Sequence, residues 1–227
     1  MATLLKPGPV FLHVPKTGGT FLRMFFKESG LIRFDFARDH ADMERVLNVS
    51  SFYRGNFLKR SIQLGKNLDH YVAGQYKFCF VRDPFSWYES AWKFLMDNKA
   101  QTFSQNKTRS RFGFKIDTWQ PWNDIEKCRD EDFNRFIECM LKHYPGYLTG
   151  LYNRYSDERH INYVGKQEEL EHDTRKIFSE TGIPFNKELF RKTGQVNKSK
   201  TPAPKWNDNN RNRIYREEKA VFMKYGY

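Results

Sequence analysis

Val10-Phe11-Leu12-His13-Val14-Pro15-Lys16-Thr17-Gly18-Gly19-Thr20-Phe21-Leu22 begins as an apolar run, crosses a turn with one lysine and two glycines, and ends on the first apolar positions of a helix. The order strand, glycine turn, helix predicts an α/β sheet with an anion site at its edge. Gly18 and Gly19 let the backbone turn tightly and approach a ligand. The N–H groups of the helix's first turn point at the same spot. Lys16 adds a full positive charge, and Thr17 and Thr20 bring hydroxyls able to cap the helix or donate to the anion.

A second stretch has the same layout. Lys77-Phe78-Cys79-Phe80-Val81-Arg82 is a short apolar run suited to a buried parallel strand. Asp83-Pro84 then reads as an N-cap with proline at the first helical position. Arg82 falls at the carboxyl end of the strand, and Ser86 and Ser90 share one face of the helix.

The triphosphate P-loop, G-x-x-x-x-G-K-[ST], does not fit the first stretch. It needs glycine at 15 and at 10, where the chain has Pro15 and Val10, and here the glycines follow the lysine. The stretch resembles the 5′-phosphosulfate loop of sulfotransferases, particularly the carbohydrate branch, where P-K-[TS]-G-[GT]-[ST] holds 3′-phosphoadenosine 5′-phosphosulfate (PAPS). In that family an arginine at a strand end and a serine eight residues later bind the 3′-phosphate, and Arg82 and Ser90 keep this spacing. Relatives often carry a second arginine where this chain has Trp87. Tyr163-Val164-Gly165-Lys166-Gln167-Glu168-Glu169-Leu170 is similar to a V-G-[RK]-x-E-x-L stretch of the family, with Glu168 read as a helix cap. Gln195-Val196-Asn197-Lys198-Ser199-Lys200 is similar to the segment that closes over the nucleotide in relatives, which makes Lys198 and Ser199 expected cofactor contacts. Pro202 and Pro204 flank it.

The resemblance implies a P-loop-like sulfotransferase fold. The expected reaction is transfer of a sulfuryl group from PAPS to a hydroxyl or amine of an acceptor, a carbohydrate first of all. No metal is expected, because Lys16 and backbone amides of Thr17, Gly18, Gly19 and Thr20 supply the positive field. Lys16 is the expected partner of the leaving phosphate oxygen. Removing the acceptor proton calls for a group titrating near neutrality. His40, directly after the second expected strand, is the expected base; Glu28 and Asp42 are the fallbacks, and His13 reads as a structural residue inside the first strand.

Composition bounds the remaining readings. The 227 residues suffice for one α/β domain, expected over residues 1–227, with a central parallel sheet flanked by helices. Strands are expected at 10–14, 31–36 and 77–82, and helices at 20–29, 39–47, 84–98 and 131–142. The net charge of +12 favours anionic ligands without choosing among them. An ATP-dependent kinase of P-loop type and a non-catalytic module for nucleic acid or acidic glycan stay open as alternatives. The glycine–lysine order and the missing magnesium carboxylate speak against the first. The Arg82–Ser90 spacing speaks against the second, so no nucleic acid is expected. A basic stretch without acidic residues, 101–115, reads as a loop near the site. Cys128 and Cys139 could pair, although the three cysteines show neither a zinc pattern nor a disulfide framework. No apolar run reaches the ~18 residues of a membrane span, and the first nine residues lack a signal peptide's apolar core. A soluble, cytoplasmic protein is the expectation.

Overall fold

The computed structural model describes residues 2–37, 40–98, 121–194 and 199–227. The basic stretch at 101–115 and Lys198 therefore lie outside the described residues. In chain order the first elements are β1 (Ala2–Leu5), β2 (Val10–Leu12), α1 (Gly19–Glu28) and β3 (Ile32–Asp35). Four helices follow: α2 (Met43–Leu47), α3 (Val49–Phe52), α4 (Arg54–Leu64) and α5 (Leu68–Ala73). Next come β4 (Lys77–Val81), α6 (Pro84–Asp97), α7 (Pro121–Lys127), α8 (Phe133–His143) and α9 (Tyr147–Tyr155). The chain ends with β5 (Tyr163–Lys166), a 3₁₀ turn over Gln167–Glu169, α10 (Leu170–Glu180), α11 (Lys187–Lys192), α12 (Asp208–Glu217) and α13 (Lys219–Tyr225).

The chain divides into two compact units, Met1–Arg82 with Asn153–Asn197, and Asp83–Tyr152 with Lys198–Tyr227. The first carries the sheet, ordered β3-β1-β2-β4-β5. β4 is buried along its whole length and pairs in parallel with both β2 and β5. The expected parallel sheet is in fact mixed. β1, absent from the sequence reading, pairs antiparallel with β2 and with β3. Lys6-Pro7-Gly8-Pro9 folds the chain back between β1 and β2, with Leu5 N–H donating to Pro9 O at 2.8 Å. β2, β3, β4 and β5 therefore all point the same way, and their carboxyl ends share one edge.

One face of the sheet is closed by aromatic packing. Phe11, Phe78 and Phe80 project to the side where α1 places Leu22, Phe25 and Phe26, and α10 places Ile177 and Phe178. Alternate residues of the same strands, Val10, Leu12, Cys79 and Val81, are buried on the other face. The period of two is obeyed, yet both faces are apolar, as parallel strands covered on both sides require.

The second unit has only helices as its regular elements among the described residues. α6 begins as expected, with the Asp83 carboxylate accepting from Ser86 N–H at 2.8 Å and Pro84 at the first position. Inside the unit, Phe133 packs between Trp92 and Trp206 at 5.5 and 4.7 Å. Glu218 is fully buried. It accepts from Tyr88 Oη, Leu148 N–H, Thr149 N–H and Thr149 Oγ1 at 2.7–3.0 Å, which caps the start of α9. Cys128 and Cys139 form a disulfide with Cα atoms 5.4 Å apart.

Candidate functional site

The loop after β2 has an unusual backbone. Lys16 sits at φ 65° and Gly18 at φ 83°, two left-handed residues either side of Thr17. Glycine adopts this conformation freely; a lysine does so only at a cost and needs support. Thr17 is buried and its hydroxyl donates to Val14 O at 3.0 Å, which braces the turn. Gly18 is the N-cap of α1 without a side-chain cap. Leu22 N–H bonds to Gly18 O, so the N–H groups of Gly19, Thr20 and Phe21 have no acceptor within the helix. The exposed Thr20 side chain stands beside them.

Gly19 is required by what lies over it. A Cβ there would come within 2.0 Å of His13 Cδ2 and 2.4 Å of His13 Nε2. β2 ends at Leu12, so His13 belongs to the loop and not to the strand. Its ring is pressed on the first residue of α1, stacks on Phe11 at 6.1 Å and meets the His40 ring edge-on at 5.4 Å. Dense packing, then the nearby charges of His40, the chain's amino terminus, Arg23 and Lys16, hold the His13 imidazole well below the usual histidine range. His13 is thus a neutral ring in a cationic neighbourhood. The sequence places His13 inside the first strand as a structural residue; the structure puts it in the loop, three residues before Lys16.

Arg82 closes β4 and reaches the same loop. Its Nη1 donates to Lys16 O at 3.4 Å, across 66 residues of sequence. His40 arrives from the carboxyl end of β3 at φ 58°, the second non-glycine residue in the left-handed region. Tyr155, wholly buried at the end of α9, donates its hydroxyl to His40 O at 2.7 Å. Lys16, Gly18, Gly19, Arg82 and His40 are therefore brought to one sheet edge, as the order of strands and loops led one to expect.

The fallback bases are placed differently. Asp42 is 2% exposed and accepts from Arg45 N–H, Arg45 Nη1 and Arg154 Nη1 at 3.1–3.2 Å, so both its oxygens are committed. Glu28 ends α1, about 13 Å along the axis from Gly19, where it accepts from Thr193 Oγ1. Glu168 lies exposed in the 3₁₀ turn, and the N-cap of α10 is Glu169, without a side-chain bond. The buried carboxylate here is Asp173, which accepts from Tyr163 Oη and Lys166 N–H and ties the end of β5 to α10. A cleft of about 350 Å³ opens beside Asp42, lined by Asn48, Asn153, Arg154, Arg159 and His160 among others.

The other expected contacts belong to the second unit. Ser90 is partly exposed on α6. Trp87 is buried against Tyr88 and Tyr147, so the position where relatives carry arginine is a core position here. Ser199 Oγ accepts from Thr201 N–H at 3.1 Å, while Thr201 Oγ1 donates to Asp97 at 2.7 Å. The Ser199 hydroxyl, first among its hydrogen bonds, holds the Asp97 carboxyl below its usual range.

Comparison with protein families gives one match, to the model described as "Sulfotransferase family", over residues 8–223. The chain belongs to the sulfotransferase family. No curated protein and no solved structure matched it. The matched span runs through both units and includes the loop, Arg82 and Ser90, so the protein is a transferase of sulfuryl groups, and the kinase and passive-binder readings lose their ground. No described helix of this sulfotransferase is long and apolar enough to cross a membrane.

Proposed function

We propose that the protein is one sulfotransferase domain that takes its sulfuryl group from PAPS and delivers it to a hydroxyl of a carbohydrate. The observation that carries this reading is the meeting of the Lys16–Gly19 turn, Arg82 and His40 at the carboxyl ends of β2, β4 and β3. The residues fit a doubly anionic nucleotide. The turn combines a helix N-terminus, a lysine and a left-handed glycine, and the Arg82 guanidinium reaches its backbone at Lys16 O.

PAPS supplies an activated sulfuryl group joined to the 5′-phosphate through a bridging oxygen. Lys16 and the N–H groups of Gly19 and Thr20 hold that phosphate and stabilise the charge that grows on the bridging oxygen as the S–O bond breaks. His40 accepts the proton of the acceptor hydroxyl as its oxygen bonds to sulfur, and the nucleotide leaves as 3′-phosphoadenosine 5′-phosphate (PAP). Arg82 receives the 3′-phosphate; Ser90 and Ser199 are carried from the sequence resemblance, with Lys198 outside the described residues. The cleft beside Asp42 sets amide, guanidinium, imidazole and carboxylate groups next to Met43 and Leu47, a mixed lining compatible with the polar and apolar faces of a sugar ring. The Cys128–Cys139 bridge favours an oxidising compartment over the cytoplasm expected from the sequence.

The test is thermal stabilisation by PAP against ATP with Mg²⁺ and against AMP. A ligand at 100 times its Kd stabilises by about 2.7 kcal/mol, and PAP alone of the three should do so. An equal response to ATP with Mg²⁺ overturns the PAPS reading.

A further inference from the structure

His40 is the expected base, and its backbone is in a conformation that an L residue with a bulky side chain rarely holds unaided. Two contacts restrain it. At the backbone, the Tyr155 hydroxyl donates to His40 O at 2.7 Å from a ring that is itself 0% exposed. At the side chain, the His13 ring lies edge-on at 5.4 Å, and His13 is in turn fixed between Phe11 and the backbone of Gly19. The Tyr155 bond spans 115 residues of sequence, so it cannot be a local turn device. Next to it, Arg154 binds the Asp42 carboxylate, which holds the following turn to the same end of α9.

We propose that Tyr155 is a positioning residue for the reaction: its hydroxyl holds the His40 carbonyl so that the left-handed turn persists and the imidazole is kept against His13, facing the donor loop. This rests on the reading of His40 as the base and deepens it. Tyr155 touches neither donor nor acceptor; it acts through His40. The groups that act electrostatically on the His13 ring are His40 from the β3–α2 connection, the amino terminus ahead of β1, Arg23 from α1 and Lys16 from the loop.

Tyr155→Phe keeps the buried ring and deletes only the hydroxyl, so the fold is expected to survive. Turnover, followed as PAP release from PAPS with water or a supplied oligosaccharide as acceptor, should fall by about 10- to 100-fold in kcat. The KM for PAPS and the affinity for PAP should stay within about two-fold, so that the loss falls on kcat alone. In a His40→Ala background the added Tyr155→Phe change should cost nothing further, because both act on one group. In the free protein, the nuclear Overhauser contact between the His13 and His40 rings should weaken in Tyr155→Phe. Unchanged kcat, losses that multiply in the double variant, or an intact ring contact would each overturn the inference. If wild-type protein fails to bind PAP, the PAPS reading falls instead; the ring contact and its dependence on Tyr155 are still measured in free protein.

Discussion

Gly19→Ala is the sharpest test of the site's packing. In an ordinary helix this exchange stabilises by roughly 0.5–1 kcal/mol, because alanine loses less backbone entropy than glycine. At position 19 the new methyl would lie 2.0 Å from His13 Cδ2, 2.4 Å from Nε2 and 2.8 Å from Cγ. The ring cannot simply swing aside. Phe11 stacks on it at 6.1 Å, and His40 stands at its edge at 5.4 Å. Overpacking of this kind costs about 1–3 kcal/mol, so a net loss of about 0.5–2 kcal/mol remains after the helix gain. Gly150→Ala is the control: it lies in α9 with no heavy atom within 4 Å of its Cβ, so only the gain of about 0.5–1 kcal/mol applies. Urea denaturation of both variants, with the slope checked for constancy, gives the two numbers. Because the clash also moves the first turn of α1, PAP affinity should fall at least about tenfold in Gly19→Ala, or about 1.4 kcal/mol, and not in Gly150→Ala. Equal stabilisation by both substitutions would show that His13 does not sit on Gly19.

Other outcomes follow from individual side chains. Lys16→Ala should abolish sulfuryl transfer while the unfolding midpoint stays within about 0.5 kcal/mol of wild type, as for other surface changes; unchanged turnover would remove Lys16 from the reaction. Glu218→Gln turns a buried acceptor of four hydrogen bonds into one that meets two N–H donors with a single oxygen, and should cost about 1–3 kcal/mol in chemical denaturation. Opening the Cys128–Cys139 bridge by paired Ser substitution should lower stability by about 3 kcal/mol, read as a shift in unfolding midpoint that reductant reproduces in the wild type only. His13, whose folded pKa is depressed mainly by burial, takes up its proton more readily when unfolded. Stability therefore falls as pH drops below about 6.5, by up to about 1.4 kcal/mol per pH unit, and His13→Phe should remove that part of the slope.

How much of this was legible in the sequence depends on the range of the interactions. The Lys16–Thr20 turn and the Asp83–Pro84 cap are written in adjacent residues, and both are found where the order of residue types put them. Arg82 and His40 were legible because parallel strands deliver whatever follows them to one edge. A strand expected to reach residue 14 stops at 12, so His13 falls in the loop against Gly19 and not inside the strand. β1 is four residues long and its partners are set by a hairpin and by β3, neither of which a periodicity count can weigh. The grip of Tyr155 on His40 and of Tyr88 on Glu218 span 115 and 130 residues, and only the folded chain brings those pairs together. Trp87 illustrates the converse: the motif's missing arginine looked like a lost contact and is a core residue of the helical unit.

Among the described residues, the two non-glycine residues in the left-handed region are the two proposed for the chemistry, Lys16 and His40, and each has its carbonyl held by a side chain from a distant element. Each such conformation costs on the order of 1–3 kcal/mol and persists only when its surroundings over-determine it. Both acceptors are main-chain oxygens, so the supports fix backbone position through contacts that do not involve the ammonium or the imidazole. The two supports differ in quality. Tyr155 offers a 2.7 Å bond from a buried ring, whereas Arg82 offers one of 3.4 Å from its guanidinium. The His40 turn is thus set in the free protein. The Lys16 turn is held more loosely, by the same arginine assigned to the 3′-phosphate. Under the proposed function, phosphate binding at Arg82 would also act on the carbonyl it touches, so nucleotide capture and the setting of Lys16 would be one event, with the proposed base already in place.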